Sequence, residues 1–502
     1  MLTEREQAKR NGLAARKPYL AKKLAGIFDM EERGEVSPQI RLEKSYLCNF
    51  TCSHCSAEHY MDRHKENVFK IVDERATMTL DDIRSISRQA DELGIGRFVI
   101  TGGEPLVMRD FDQVVAAIDP EKHYIFTDTN GWFMDEKRAK HIKAIGVEKV
   151  QMSLDSFIET EHDKFRNKPG SYKRVLRAVD ACVEAGLNLI LSTVLVRGRA
   201  KTEEFRAMCE FATKRGIGLY VSYAKPTGSA TNHPEWVITK EDADQVRAME
   251  REFNVFTHMT PSYGSHKGCI TVKGTLTVSS AMEVMPCPYI DMSIGNLRTT
   301  SLKEVIRRGM SNPWLGPHRP DCLIGENPQF IKLHQEKVKG AKLLPIPYGE
   351  GFTDNDQATT PDYYQTVDEE GIEFNIKAGD TLASIIGRGG AHLHTEVPEY
   401  EPAKTSYKGL YFPNVKGLSI AEAKAKDFSP FRLSSALETA AALVARPDLL
   451  RNTQGYAPIL WCAKEADETH GYYFEQYGDT LTFNRRPHLG LKSDYWRAGV
   501  VK

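Results

Sequence analysis

Residues 41–55 read Arg41-Leu42-Glu43-Lys44-Ser45-Tyr46-Leu47-Cys48-Asn49-Phe50-Thr51-Cys52-Ser53-His54-Cys55. Arg41–Leu47 has the length and composition of a β-strand, and it runs straight into three cysteines within eight residues. Three thiolates on a loop leaving the end of a parallel strand can hold three irons of a cubane cluster. The fourth iron then lacks a protein ligand and is open to a chelating molecule. Zinc is the alternative, but it takes four ligands in paired C-x-x-C knuckles. Only the Cys52–Cys55 pair stands here, with no partner pair at knuckle spacing.

Outward from this loop the chain alternates strand-like and helix-like segments, the pattern of a parallel α/β sheet. Further strands are expected at Arg97–Thr101, His123–Asp128, Lys149–Leu154, Leu187–Val196 and Gly218–Tyr223. Amphipathic stretches at Thr79–Leu93, Glu136–Ile145, Ser171–Ala185 and Thr202–Arg215 lie between them. Thr79-Leu80-Asp81-Asp82 offers a side-chain cap with acids in the first turn. Six βα units are too few for a closed eight-fold barrel, so an open partial barrel is expected, with its site at the carboxyl ends of the strands. Directly after the second strand comes Thr101-Gly102-Gly103-Glu104-Pro105. Two glycines allow close backbone approach to a ligand, and the carboxylate can receive a cation.

The whole chain has 502 residues, 41% hydrophobic and 27% charged, an ordinary globular balance. A formal charge of −1 gives no support to a nucleic-acid-coating role. The basic start, residues 1–28, lacks the apolar core of a signal peptide and reads as a solvated helix packed on the barrel. No apolar run of about 18 residues occurs, so no transmembrane segment is expected. Nine cysteines without an export signal favour a reducing compartment, the cytoplasm, and metal-binding or catalytic thiols.

The C-x-x-x-C-x-x-C loop after the first strand, with G-G-E-P after the second, resembles the radical S-adenosylmethionine (radical SAM) superfamily over about residues 41–225. That resemblance implies that Cys48, Cys52 and Cys55 ligate a catalytic [4Fe–4S] cluster. It implies that SAM chelates the open iron, with Gly102, Gly103 and Glu104 holding its amino group. Gln151-Met152-Ser153-Leu154-Asp155 looks like the ribose-contacting segment, with Ser153 or Asp155 making the contact. Ser192 is a candidate for the methionine end, and Asn130-Gly131 shapes the turn after the third strand. His54 occupies the position of a frequent aromatic and is placed to stack near the adenine. The implied chemistry is reductive cleavage of SAM to a 5′-deoxyadenosyl radical that abstracts hydrogen from substrate, with electrons from a flavodoxin or ferredoxin.

A second cysteine set follows. Cys269, the hairpin-like Gly274–Ser280, Met285-Pro286-Cys287-Pro288, Ile294-Gly295-Asn296-Leu297, a helix at Ser301–Arg308 and Cys322 occur in that order. This order resembles the SPASM/twitch extension of radical SAM enzymes. The hairpin turn usually has glycine where Met282 stands, and Cys322 has no cysteine neighbours. The resemblance therefore implies one auxiliary cluster on Cys269, Cys287 and Cys322; three ordinary buried thiols are the alternative. Cys182, Cys209 and Cys462 read as core residues. Asp291 is a candidate acid or base near the auxiliary set, and His392, His394 and Glu396 form a weak metal-like spacing.

The expected fold is α/β, a partial (β/α)6 TIM-like barrel with a small auxiliary-cluster domain and an additional α+β C-terminal domain. The expected boundaries are an N-terminal helical extension at 1–40, the barrel at 41–232, the SPASM/twitch-like domain at 233–345, a linker at 346–365 and a domain of unassigned role at 366–502. The expected function is a radical SAM enzyme acting on a small molecule by dehydrogenation, epimerisation or bond formation. Modification of a peptide or protein is the alternative.

Overall fold

The computed structural model describes residues 4–32, 36–61, 77–258, 269–316, 322–352 and separate stretches between 373 and 501. Its centre is a sheet of nine strands: β1 Gln39–Ser45, β2 Arg97–Gly102, β3 Tyr124–Thr129, β4 Val147–Ser153, β5 Asn188–Leu195, β6 Gly218–Tyr223, β7 Val255–Phe256, β8 Thr275–Val278 and β9 Val284–Met285. Their order is β7-β6-β5-β4-β3-β2-β1-β8-β9, with β9 antiparallel to β8 and every other pair parallel. Each of the six expected strands is present, with its limits within two residues of the expected ones. The fold is α/β, as expected.

The expected helices form at 80–92, 136–144, 171–184 and 203–214. Thr79 caps the first with a reciprocal pair of bonds. Its hydroxyl accepts the Asp82 N–H at 3.1 Å, and its own N–H donates to Asp82 Oδ2 at 2.8 Å. Alternation along the strands decides what faces the site. In β5, Leu189, Leu191, Thr193 and Leu195 are buried, while Ser192 and Val194, offset by one, line the central cavity.

Segment 233–345 is continuous with this sheet. Its β7 adds to β6 at one edge and its β8 lies parallel to β1 at the other, through Gln39–Thr275 to Leu42–Val278. Strands of two to four residues, such as β7, β8 and β9, leave no measurable period in a sequence. The hairpin expected near Gly274–Ser280 is the β8–β9 pair, and Met282 in its turn has φ +68°. That left-handed conformation is the one glycine adopts most readily, which accounts for glycine being usual in such turns. One hydrophobic core runs from Ile40 to Ile346 across barrel and extension.

The N-terminal segment forms helices Glu4–Arg16 and Pro18–Glu32 that pack on the barrel, with Lys17 Nζ 2.7 Å from Glu148 Oε1 and Tyr19 OH 2.8 Å from Asp91 Oδ1. Beyond residue 373 a separate core gathers Phe374, Ile385, Leu437, Phe474 and Phe483. Around it lie a five-stranded sheet, a three-stranded sheet and helices at 382–388, 420–425 and 436–445, an α+β arrangement. His394 and Glu396 fall outside the described residues. Among the described residues no helix is long and apolar enough to cross a membrane.

His123, immediately before β3, is fully buried edge-on to Phe98, with ring centroids 4.7 Å apart. Burial, with the Lys23 charge nearby, pushes its pKa down to about 4. The unfolded chain therefore takes up a proton between about pH 6.5 and 4 that the folded chain refuses. Acidification across that window is expected to remove roughly 1.4 kcal/mol of stability per pH unit from this residue alone. Urea midpoints should fall from pH 7 to pH 5, with a shallower fall in His123→Leu. A slope unchanged by that substitution would rule His123 out as the source.

Candidate functional site

The carboxyl ends of the strands open on one cavity of about 270 Å³. Both cysteine sets line it: Cys48, Cys52 and Cys55 from the loop after β1, and Cys269, Cys287 and Cys322 from the extension. All six are free thiols. Gly102, Gly103, Glu104, Ser153, Asp155, Ser192 and His54 line the same space, so the residues expected to meet the cluster and SAM converge there, whereas Asp291 and His392 do not line it.

The cysteine loop is fixed by backbone bonds. Ser53 N–H donates to the Phe165 carbonyl at 3.0 Å, and the Cys55 carbonyl accepts the Ser229 N–H at 3.0 Å. Burial pushes the Cys48 thiol up to about 11 and drives Cys52 and Cys55 up as well. These thiols stay protonated until a metal displaces their protons. Among the described residues no three His, Cys, Asp or Glu side chains are set to hold a single metal ion. The donor set fits a cubane cluster.

The role of the two glycines differs from the simplest reading of the motif. A Cβ on Gly102 would lie 2.3 Å from the Ser45 carbonyl oxygen, and one on Gly103 would lie 2.1 Å from that of Leu47. The close approach is to the cysteine loop itself, where Gly103 N–H donates to Ser45 O at 3.0 Å and Glu104 N–H to Leu47 O at 2.8 Å. Glycine welds the second βα turn to the first.

Glu104 is 2% exposed. Its Oε1 accepts the Leu106 N–H at 3.1 Å and the Thr129 hydroxyl at 2.8 Å, and its Oε2 accepts the Asn130 N–H at 2.7 Å. Burial raises its pKa against these donors. A carboxylate so oriented and desolvated suits a cationic ligand such as an ammonium group. The Asn130 side chain shapes the turn by accepting the Trp132 N–H at 3.0 Å, and it also donates to Asn49 of the cysteine loop at 2.9 Å.

Asp155 is occupied internally. Its Oδ1 accepts the Val194 N–H at 2.9 Å and its Oδ2 accepts from Arg166 Nε at 2.5 Å. Burial opposes its ionisation, but the Arg166 guanidinium wins and holds the carboxyl well below its ordinary range. Ser153, two residues earlier on β4, makes no side-chain hydrogen bond among the described residues and is the freer of the two. His54 stacks on Phe165 at 4.1 Å, and burial pushes its pKa down to about 4, so it is a neutral ring.

Asp291 is absent from the cavity lining. It is 3% exposed, accepts the Tyr60 hydroxyl at 2.5 Å, and has its second oxygen 3.4 Å from His334 Nε2. Burial works against its charge, but His334 and Tyr60 hold its carboxyl below the ordinary value. It ties the chain after Cys55 to the chain after Cys287. Cys182, Cys209 and Cys462 are fully buried and away from the cavity.

Sequence reading missed Arg166, which lines the cavity with Nη1 3.8 Å from Cys52 Sγ. It also missed Arg41, which lines the cavity 2.7 Å from Asp128 Oδ2, and the Lys225–Ser222–Tyr289 group. Arg41 had a usable signal, being a charge at a cavity-facing position of a barrel strand; Arg166 had none.

Residues 42–212 match the Radical SAM superfamily. An AdoMet-dependent heme synthase of Nitratidesulfovibrio vulgaris is 21% identical over 313 residues, covering 56% of this chain and 82% of that protein. A probable GTP 3′,8-cyclase of Methanosarcina acetivorans is 33% identical over 179 residues, covering 35% of this chain and 51% of that one. Among solved structures, Streptococcus suis SuiB bound to precursor peptide SuiA aligns with a TM-score of 0.42 at 16% identity, covering 57% of this chain and 67% of SuiB.

Proposed function

We propose that this protein, whose residues 42–212 match the Radical SAM superfamily, is a radical SAM enzyme acting on a small molecule, with one auxiliary iron–sulfur cluster beside the catalytic one. Cys48, Cys52 and Cys55 hold the catalytic [4Fe–4S] cluster, and Cys269, Cys287 and Cys322 hold the auxiliary one. The observation that carries this reading is the single cavity lined by both cysteine sets, whose members lie more than 200 residues apart in the chain. A cluster held by these three thiolates would supply the single electron whose transfer to bound SAM breaks a C–S bond, leaving methionine and a 5′-deoxyadenosyl radical able to take a hydrogen atom from substrate.

The chain's own residues do the positioning. Glu104, fixed by three donors, receives the ammonium of SAM; Ser153 offers its hydroxyl to the ribose; Ser192, paired with Ser153 across β4 and β5, reaches the methionine end. Neutral His54, backed by Phe165, presents an aromatic edge to the adenine region. Both curated relatives described above are named for reactions of small molecules, heme and GTP, which favours a small substrate. An auxiliary cluster next to that substrate is suited to accept an electron during a dehydrogenation.

Anaerobically reconstituted protein given SAM and dithionite is expected to yield 5′-deoxyadenosine, with about eight irons per chain for two cubane clusters. Replacing Cys269, Cys287 and Cys322 together with alanine should leave about four. An iron content of about four in the unmodified chain would remove the auxiliary cluster. Turnover stimulated by the protein fraction of a cell extract, and not by its low-molecular-mass fraction, would overturn the small-molecule assignment.

A further inference from the structure

The loop after β6 packs on the first cysteine loop and lines the cavity that the second cysteine set shares. At one point a Cβ on Gly228, where φ is +56°, would lie 2.2 Å from the Cys55 carbonyl oxygen. Three residues earlier stands Lys225, 5% exposed and lining the cavity. Its ammonium donates to the Tyr223 carbonyl at 2.9 Å and the Ser222 hydroxyl at 3.3 Å, and it sits 4.3 Å from the centroid of the Tyr289 ring. Tyr289 is two residues past Cys287, and its hydroxyl is 3.1 Å from the same Ser222 oxygen.

The cavity's two arginines are each neutralised, Arg41 by Asp128 at 2.7 Å and Arg166 by Asp155 at 2.5 Å. Lys225 has no carboxylate partner among the described residues. A buried ammonium without an anion is costly, and hydrogen bonds to neutral oxygens offset only part of that. Its stem and the Cys322 sulfur flank one glycine: a Cβ on Gly325 would lie 3.1 Å from Cys322 Sγ and 3.8 Å from Lys225 Cγ.

We propose that Lys225 is the built-in countercharge of the Cys269, Cys287 and Cys322 set, raising the reduction potential of the iron–sulfur cluster held there. The inference rests on the auxiliary-cluster reading above. Reduction adds a negative charge to the cluster, and a fixed cation in a low-dielectric wall stabilises that charge most in the reduced state. Lys225 acts through the cluster and is a positioning residue in the electrostatic sense.

The test is an EPR-monitored redox titration of the full chain carrying Cys48→Ala, Cys52→Ala and Cys55→Ala, so that only the auxiliary set binds iron. Lys225→Met is expected to shift the reduction equilibrium roughly tenfold toward the oxidised form, about 59 mV more negative for a one-electron couple. Lys225→Arg, which keeps the charge, should return most of the shift. If Lys225→Met loses iron while Lys225→Arg loads, the countercharge role stands. An unchanged potential in iron-loaded Lys225→Met, or iron loss in both variants, overturns it and leaves the cluster reading intact. Absence of iron from the parent variant would sink the cluster reading and this inference together. Should that background not fold, the titration is run with all cysteines present and the second wave is read.

Discussion

Alanine at Cys55 is expected to abolish 5′-deoxyadenosine formation in protein that otherwise folds and binds iron at its second site. A cubane held by three thiolates keeps one iron open for a chelating ligand. Removing one thiolate leaves a second iron without a protein ligand, and the site loses both retention and regiochemistry. Cys55 is the most constrained of the three: its carbonyl accepts the Ser229 N–H at 3.0 Å, and its own N–H donates to the Cys52 carbonyl at 3.3 Å. Those bonds involve backbone, so the loop survives the substitution while the sulfur is lost. Cys182 and Cys209, on helices 171–184 and 203–214 in the barrel core, supply the controls. Their alanine variants should still form product. Iron per chain and 5′-deoxyadenosine, measured together under anaerobic conditions, decide the matter. Product at wild-type rates from Cys55→Ala would remove the catalytic cluster from this loop.

Gly103→Ala is the second substitution expected to be severe, and it alters no ligand. The added methyl would meet the Leu47 carbonyl oxygen at 2.1 Å, the Leu47 carbonyl carbon at 2.6 Å and the Tyr46 carbonyl carbon at 2.7 Å. All three are backbone atoms, so no side chain can swing aside. The second βα turn must move off the cysteine loop, breaking the bonds of Gly103 to Ser45 and of Glu104 to Leu47. Overpacking of this kind costs about 3 kcal/mol, and more where backbone must shift. Glu104 would also leave the donors Thr129 and Asn130, so SAM affinity should fall at least tenfold as stability falls. Urea unfolding and equilibrium dialysis with SAM measure the two effects. Gly12, in the middle of helix Glu4–Arg16 with nothing within 4 Å of its would-be Cβ, is the control. There alanine should stabilise by up to about 1 kcal/mol. Equal behaviour of the two variants would mean that the turns are not in contact.

On the proposed reading the cysteine spacing supplies ligands, while the glycines supply the backbone proximity that holds the Glu104 turn against the cysteine loop. A Gly-Gly-Glu turn elsewhere in the chain would have the same residues and none of the geometry.

By itself the sequence determined the parts that depend on neighbours along the chain. Three thiols in eight residues, a capping box at Thr79–Asp82 and the period-two faces of β4 and β5 are local facts, fixed by covalent spacing and backbone geometry. Tertiary structure alone decided the rest. β8 finds its place beside β1 across more than 200 residues, which brings Cys269 and Cys287 to the cavity that Cys48 opens. The same packing turned Asp155 toward Arg166, removed Asp291 from the cavity and brought Lys225 into the cavity wall with the second cysteine set. Such long-range pairings are selected by the sum of burial and charge over the whole core, and no window of sequence contains that sum.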